Sequence, residues 1–261
     1  SEIETAQVLK ILKPIWTTKT ETATRVRTRI ELVLDYAEAL KLRSGSNPAR
    51  WRGHLATILP NAAKIRKIEH HPALPYDELQ PFMGRLSTTN GIGARALEIA
   101  ILTASRTFEV LGATWEEFDL DKRVWTVPQE RMKAGIEHRI PLSEPAMKIL
   151  KVLHDGRISD SVFPNLTNGK PLSNAGMSSV LKRMGRTDIT VHGFRSTFRD
   201  WVAEKTNTPE RIAESALAHR LKDASEAAYQ RGDLIEKRQA LMTNWANYCY
   251  PTKDKVVKLH G

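Results

Sequence analysis

His192-Gly193-Phe194-Arg195-Ser196-Thr197-Phe198-Arg199-Asp200-Trp201-Val202-Ala203-Glu204 reads as an amphipathic helix. Phe194, Phe198, Trp201 and Val202 recur at three- and four-residue spacing and form its buried stripe. The same spacing sets His192 and Arg195 on neighbouring positions of another face, where they can share one ligand. A guanidinium fork matches two oxygens of a phosphate, and an imidazole beside it can take or give a proton near neutral pH. Standing alone, the tetrapeptide would read as a capping histidine and a surface arginine.

Helical periodicity continues on both sides of this stretch. Downstream, Pro209 to Ala218 and Leu234 to Tyr248 carry it; upstream, Glu144 to Leu153 and Ser173 to Met184 do, and before them Tyr76–Arg85, Ala94–Leu102 and Thr107–Leu111. Between Leu111 and Glu144 the period changes. Val124-Trp125-Thr126-Val127 and Arg139-Ile140-Pro141-Leu142 are short β-rich runs around a polar tip from Gln129 to Glu137, which predicts an antiparallel hairpin with a long loop. Near the N-terminus, Thr5 to Leu12 and Thr20 to Leu42 predict helices. Asn47-Pro48 supplies a cap and a first-turn proline for a short further helix to about Leu59. Pro60 to Pro75 reads as a linker, with the boundary near residue 68. The fold class expected is mainly α with a small antiparallel β-sheet, in two domains, 1–68 and 69–261.

Composition narrows the function. Across 261 residues, 40 Lys and Arg stand against 30 Asp and Glu, a surplus that attracts polyanions. The first 70 residues hold 13 basic and 7 acidic side chains, more than half of that surplus. No apolar run reaches the roughly 20 residues of a spanning helix, which leaves the expectation of a protein without a membrane partner. One cysteine, Cys249, excludes an intramolecular disulfide framework and a multi-cysteine zinc site.

Further residues suit phosphate chemistry. Arg106 lies inside the apolar stretch Leu102–Leu111, where an unpaired guanidinium is costly, and Glu109 three residues on is a ready partner. Arg131-Met132-Lys133 falls on the hairpin tip, and a lysine on a mobile loop can reach into a site as a proton donor, although an exposed loop lysine is the commoner case. His219 ends the helix opened by Thr208-Pro209, and Tyr229 stands between small alanines just before Arg231-Gly232-Asp233. No cluster of carboxylates of the two-metal nuclease kind is evident.

In order and context these pieces resemble the tyrosine recombinase (phage integrase) family, most closely the integrases of satellite phages and genomic islands. The resemblance covers nearly the whole chain. It rests on Arg106 and Glu109 leading into Gly112-Ala113-Thr114-Trp115-Glu116-Glu117-Phe118-Asp119, on Arg131-Met132-Lys133 with Pro141-Leu142-Ser143, on His192 and Arg195, on His219, and on Tyr229. It implies a helical, SAM-like core-binding domain, truncated at its N-terminus, followed by a catalytic domain. It also implies site-specific DNA recombination through a 3′-phosphotyrosyl intermediate, to integrate or excise a mobile element. Arg106, Arg195 and His219 would then hold the phosphate, Tyr229 would be the nucleophile, His192 a base or orienting group, Lys133 the general acid and Glu109 a support. No metal and no ATP are expected. The implied partners are double-stranded DNA at core sites, further copies of the chain in a tetramer, and DNA-bending or directionality factors, in the bacterial cytoplasm at the nucleoid. Arg25, Arg29, Arg50, Arg52, Lys64 and Lys67 are the candidate backbone contacts of the N-terminal domain. The chain departs from the family at Thr103-Ala104, where a Thr-Gly pair is usual. The alternatives are DNA relaxation of the type IB topoisomerase kind and a non-catalytic DNA-binding regulator.

Overall fold

A computed structural model describes residues 3–65, 72–219 and 232–251. The chain divides into two compact units, Ser1–His70 and His71–Gly261.

In the first unit, α1 (Thr5–Trp16) and α2 (Thr20–Ala39) pack through a stripe that the sequence spells out, Val8, Leu12 and Trp16 against Ala23 and Leu34. Trp16 stacks on Trp51 at 5.5 Å, and its indole N–H donates to the Pro60 carbonyl at 2.9 Å. The helix expected from Asn47 to Leu59 is instead a run of turns ending in a 3-10 turn, Leu55–Thr57. Asn47 is the reason: it is buried, its amide donates to the Glu31 carbonyl at 2.8 Å and to Asp35 at 2.6 Å, and its Oδ1 accepts from Ala49 N. A side chain spent on α2 fastens a loop rather than opening a helix. Among the described residues of the stretch read as linker there is one short helix, α3 (Ala62–Ile65).

The second unit is built around α5 (Ile92–Thr103), which is buried nearly all round from Ala94 to Thr103, as an apolar central helix must be. Around it lie α4 (Leu79–Ser87), α7 (Glu144–Asp155), α8 (Ala175–Arg183), α9 (Gly193–Lys205) and α11 (Ile235–Cys249). The short α6 (Thr107–Leu111) follows α5, and α10 (Glu210–Ala216) follows α9. Phe194, Phe198, Trp201 and Val202 of α9 are all buried, and Trp245 of α11 packs between Phe198 and Trp201 while donating to the Ile101 carbonyl at 2.8 Å. Full burial of side chains of this size is worth roughly 1.5–3 kcal/mol each.

The sheet has three antiparallel strands in the order β1 (Phe118–Asp119), β2 (Val124–Val127), β3 (His138–Pro141). Trp125 pairs with Ile140 and Thr126 with Arg139, so Trp125 and Val127 point inward together. The hairpin is the one expected. Strand β1, only two residues long, escapes periodicity and is held by Phe118 stacking on Trp125 at 5.1 Å.

Candidate active site

Two helices of the second unit end close to one another, and their carbonyls assemble the site. At the end of α5, Ala104 adopts a left-handed conformation with φ 50°, and at the end of α10 Ala218 does the same with φ 49°. Each such turn leaves carbonyls without helical partners at the negative end of a helix dipole, a setting that favours cations. Arg195 answers both. It is buried, one terminal nitrogen donating to the Ala104 carbonyl and the other to the Leu217 carbonyl at 2.6 Å. Arg106 donates to the next carbonyl, that of Ala218, at 3.2 Å.

Arg106 caps α6. Its backbone N–H donates to Glu109 Oε2 at 2.8 Å and its guanidinium to Glu109 Oε1 at 2.7 Å, so the buried carboxylate orients the arginine from two sides. Burial pulls the Arg195 guanidinium down to about 10, the charge of Arg106 adds to that, and Glu109 and Glu214 oppose it. Two guanidiniums that repel one another across a partly dry site make a region of positive potential suited to an anion.

His219 follows the same turn. Its Nε2 lies 3.1 Å from Arg195 Nη2 and its Nδ1 2.6 Å from Glu214 Oε2. Facing an arginine N–H, Nε2 acts as an acceptor here, which puts the ring proton on Nδ1 toward Glu214. His192 begins α9, exposed, one turn ahead of Arg195. Gly193 between them is required by close approach: a Cβ there would come within 2.2 Å of the Pro72 carbonyl oxygen.

The structure therefore brings together Arg106, Glu109, Arg195 and His219. Lys133 is exposed on the loop between β2 and β3. Tyr229 lies outside the described residues, as does Lys67. In the first unit Arg25, Arg29, Arg50, Arg52 and Lys64 are exposed, Arg25 pairing with Glu21 at 2.5 Å.

Several partners of the site were not singled out from sequence. Glu214, five residues before His219, pairs with it and with Arg199 Nε at 3.0 Å. His138, the first residue of β3, lies near the backbone of Ala216, just ahead of the carbonyls of Leu217 and Ala218 that Arg195 and Arg106 hold. Burial drives the His138 imidazole down to about 4, and the charges of Arg238 and Arg106 push the same way. Fully buried Arg238 donates to the carbonyls of Asp233, at 2.6 Å, and Arg139, and pairs with the Asp233 carboxylate at 3.1 Å. Nothing in the sequence marks Arg238, which follows Glu236 and Lys237 near the polar start of α11 and looks there like one more solvated charge.

The phage integrase family model matches residues 73–232, and that of the phage integrase central domain matches residues 1–54. The integrase of Enterobacteria phage P4 is 28% identical over 279 residues, covering 99% of this chain and 62% of that protein. The prophage integrase IntZ of Escherichia coli is 30% identical over 249 residues, covering 94% of this chain and 60% of that protein. This chain thus spans about three-fifths of the length of those relatives. Among solved structures, a lambda integrase dimer bound to a COC′ core site superposes with a TM-score of 0.62 at 19% identity, covering 89% of this chain and 81% of that one. A lambda integrase tetramer bound to a Holliday junction gives 0.62 at 18% identity, covering 85% and 66%. At such identities the likeness is one of fold. With a family match that takes in more than half of its residues, and with paired arginines at the heart of that match, the chain belongs to the phage integrase family.

Proposed function

We propose that the chain is the DNA-binding and strand-transferring part of a tyrosine-type site-specific recombinase that integrates or excises a mobile element. The observation that carries this reading is the convergence of Arg106 and Arg195 on the adjacent carbonyls of Ala218 and Leu217, beside His219.

A phosphodiester resists attack because its oxygens repel nucleophiles and its leaving alkoxide is a strong base. Arg106 and Arg195 hold the two non-bridging oxygens and neutralise the charge that grows as phosphorus becomes five-coordinate. His219, with Nδ1 held by Glu214 and Nε2 accepting from Arg195, keeps that guanidinium in place beside the phosphate. The Tyr229 oxygen attacks phosphorus, its proton leaving toward His192 or solvent, and the bond from phosphorus to the 5′ oxygen breaks. Lys133 gives that oxygen its proton, a task that suits a flexible ammonium. The 3′-phosphotyrosyl bond keeps the energy of the broken link, so attack by a 5′ hydroxyl of a second duplex restores the phosphodiester and frees the tyrosine without ATP. Charge neutralisation by two guanidiniums makes a metal unnecessary in this scheme.

The substrate is double-stranded DNA at core sites, bound by copies of the chain that assemble as a tetramer, with accessory bending or directionality factors, at the nucleoid of a bacterial cell. Among the described residues no helix is long and apolar enough to cross a membrane. Arg25, Arg29, Arg50, Arg52 and Lys64 contribute phosphate contacts, and Lys67 joins them. Each contact adds about 0.9 to the slope with which affinity falls against salt on logarithmic axes.

The test is a plasmid carrying two core sites, incubated with the chain in chelator. Recombinant circles are the expected product. Relaxation of a supercoiled plasmid that lacks the sites, with no recombinants from the first, would point to a topoisomerase, and binding without either product to a regulator.

A further inference from the structure

We infer that Arg131 is a positioning residue for Lys133, fixing the base of the loop on which that lysine stands; the inference rests on Lys133 being the general acid.

Arg131 closes a 3-10 turn, Gln129–Arg131, at the point where the chain leaves β2 for the loop. Its guanidinium is gripped from two elements. One terminal nitrogen pairs with the Glu117 carboxylate, whose other oxygen accepts from the Trp125 indole at 2.8 Å. The other donates to the Glu109 carbonyl at 2.5 Å and approaches the Phe108 carbonyl at 3.3 Å. Glu109 is the residue whose carboxylate orients Arg106. One fork thus ties the loop to α6, the element that carries a phosphate-holding arginine, and to a carboxylate locked against β2.

Beyond Arg131 the loop is short of freedom. Met132 is buried, and Gly135 N donates to the Met132 carbonyl at 2.9 Å, closing a tight turn with Lys133 at its exposed second position. Two residues span at most about 7 Å, so wherever Arg131 is fixed the Lys133 backbone follows within that radius. A lysine at position 131 could not reproduce this grip, because an ammonium lacks the planar pair of nitrogens that reaches a carboxylate and a helix-end carbonyl together. Space for the fork is kept by Gly112, where an added Cβ would lie 2.9 Å from Arg131 Nη2. This accounts for two parts of the sequence that phosphate chemistry alone leaves unused, Gly112 through Glu117 and the arginine two places before the lysine.

The experiment compares single-turnover cleavage of two matched nicked duplexes, one with an ordinary 5′ oxygen at the scissile phosphate and one with sulfur in its place. Sulfur departs without a proton, so only the oxygen substrate needs the acid. Lys133→Ala sets the scale. Arg131→Lys should slow the oxygen substrate at least tenfold and the sulfur substrate less than twofold, with duplex affinity and melting temperature close to the parent. Gly112→Ala, which displaces the fork but keeps its charge, should reproduce the pattern more weakly. Equal losses on both substrates would overturn the inference, since they place Arg131 in the phosphate-holding group or in general stability; so would an unchanged oxygen rate. If Lys133→Ala itself slows both substrates alike, the acid role of Lys133 fails first, and the Arg131 inference fails with it.

Discussion

Arg195 donates to the carbonyl of Leu217 at 2.6 Å while its other terminal nitrogen serves the carbonyl of Ala104, so one guanidinium joins the ends of α5 and α10. A buried carbonyl left without a donor costs about 1–3 kcal/mol. Arg195→Lys keeps the charge but serves one acceptor at a time. The expected outcome is a stability loss of about 2 kcal/mol in urea unfolding, with strand cleavage down at least a hundredfold on the scale of a lost transition-state donor.

Gly193→Ala should be among the more damaging single-methyl changes in the chain. The added carbon meets the Pro72 oxygen at 2.2 Å and the Ala73 Cα at 2.9 Å, both backbone and neither free to swing aside. A loss of about 3 kcal/mol is expected, at the upper end for overpacking. Urea titration measures it, and a loss below about 0.5 kcal/mol would mean that the segment at residues 72–73 yields easily.

How far the sequence could be read follows from what each feature is made of. The stripe of α9 and the β2–β3 hairpin are periodicities of side chains, and they stand in the structure where the residues put them. The Arg106–Glu109 pair is local, three residues apart, and was legible for that reason. The turn at residues 216–218 was not, because its chemistry lies in backbone carbonyls that every residue possesses. Asn47 shows the opposite failure: its residue type suggests a helix cap, but the acceptors that claim its amide nitrogen lie on α2, and only the tertiary fold supplies them. Likewise Arg131 looked like a neighbour of Lys133 until Glu117 and Glu109 were seen to hold it.

Ala104 occupies a backbone position that glycine suits better, with φ 50° and its methyl buried. Left-handed geometry costs an L-residue about 1–2 kcal/mol, and the methyl lost in Ala104→Gly together with the looser unfolded chain gives back a similar amount. That variant should therefore melt within a few degrees of the parent. Ala104→Val, branched at the same φ, should be less stable by more than about 2 kcal/mol.

His138 makes the fold acid-sensitive. Burial, with Arg238 and Arg106 nearby, holds its imidazole neutral down to about 4, while the unfolded chain takes up the proton at the ordinary value of 6.5. Between those two values the unfolded state binds more protons, so stability is lost as pH falls from 6.5 toward 4, by up to about 3 kcal/mol for a shift of this size. His138→Gln should flatten that limb relative to the parent when urea midpoints are compared at pH 7 and pH 4.5. Parallel profiles for the two proteins would show that other groups cause the decline.

The central claim is that the arginine pair, His219 and Lys133 serve an attack by Tyr229 on DNA. Its most direct test is covalent capture on nicked suicide duplexes drawn from tRNA-gene ends, in chelator, resolved on a denaturing gel. The account predicts a protein–DNA adduct with the parent chain and none with Tyr229→Phe, which should still bind the same duplex with nearly unchanged affinity. An adduct that persists in Tyr229→Phe would contradict it.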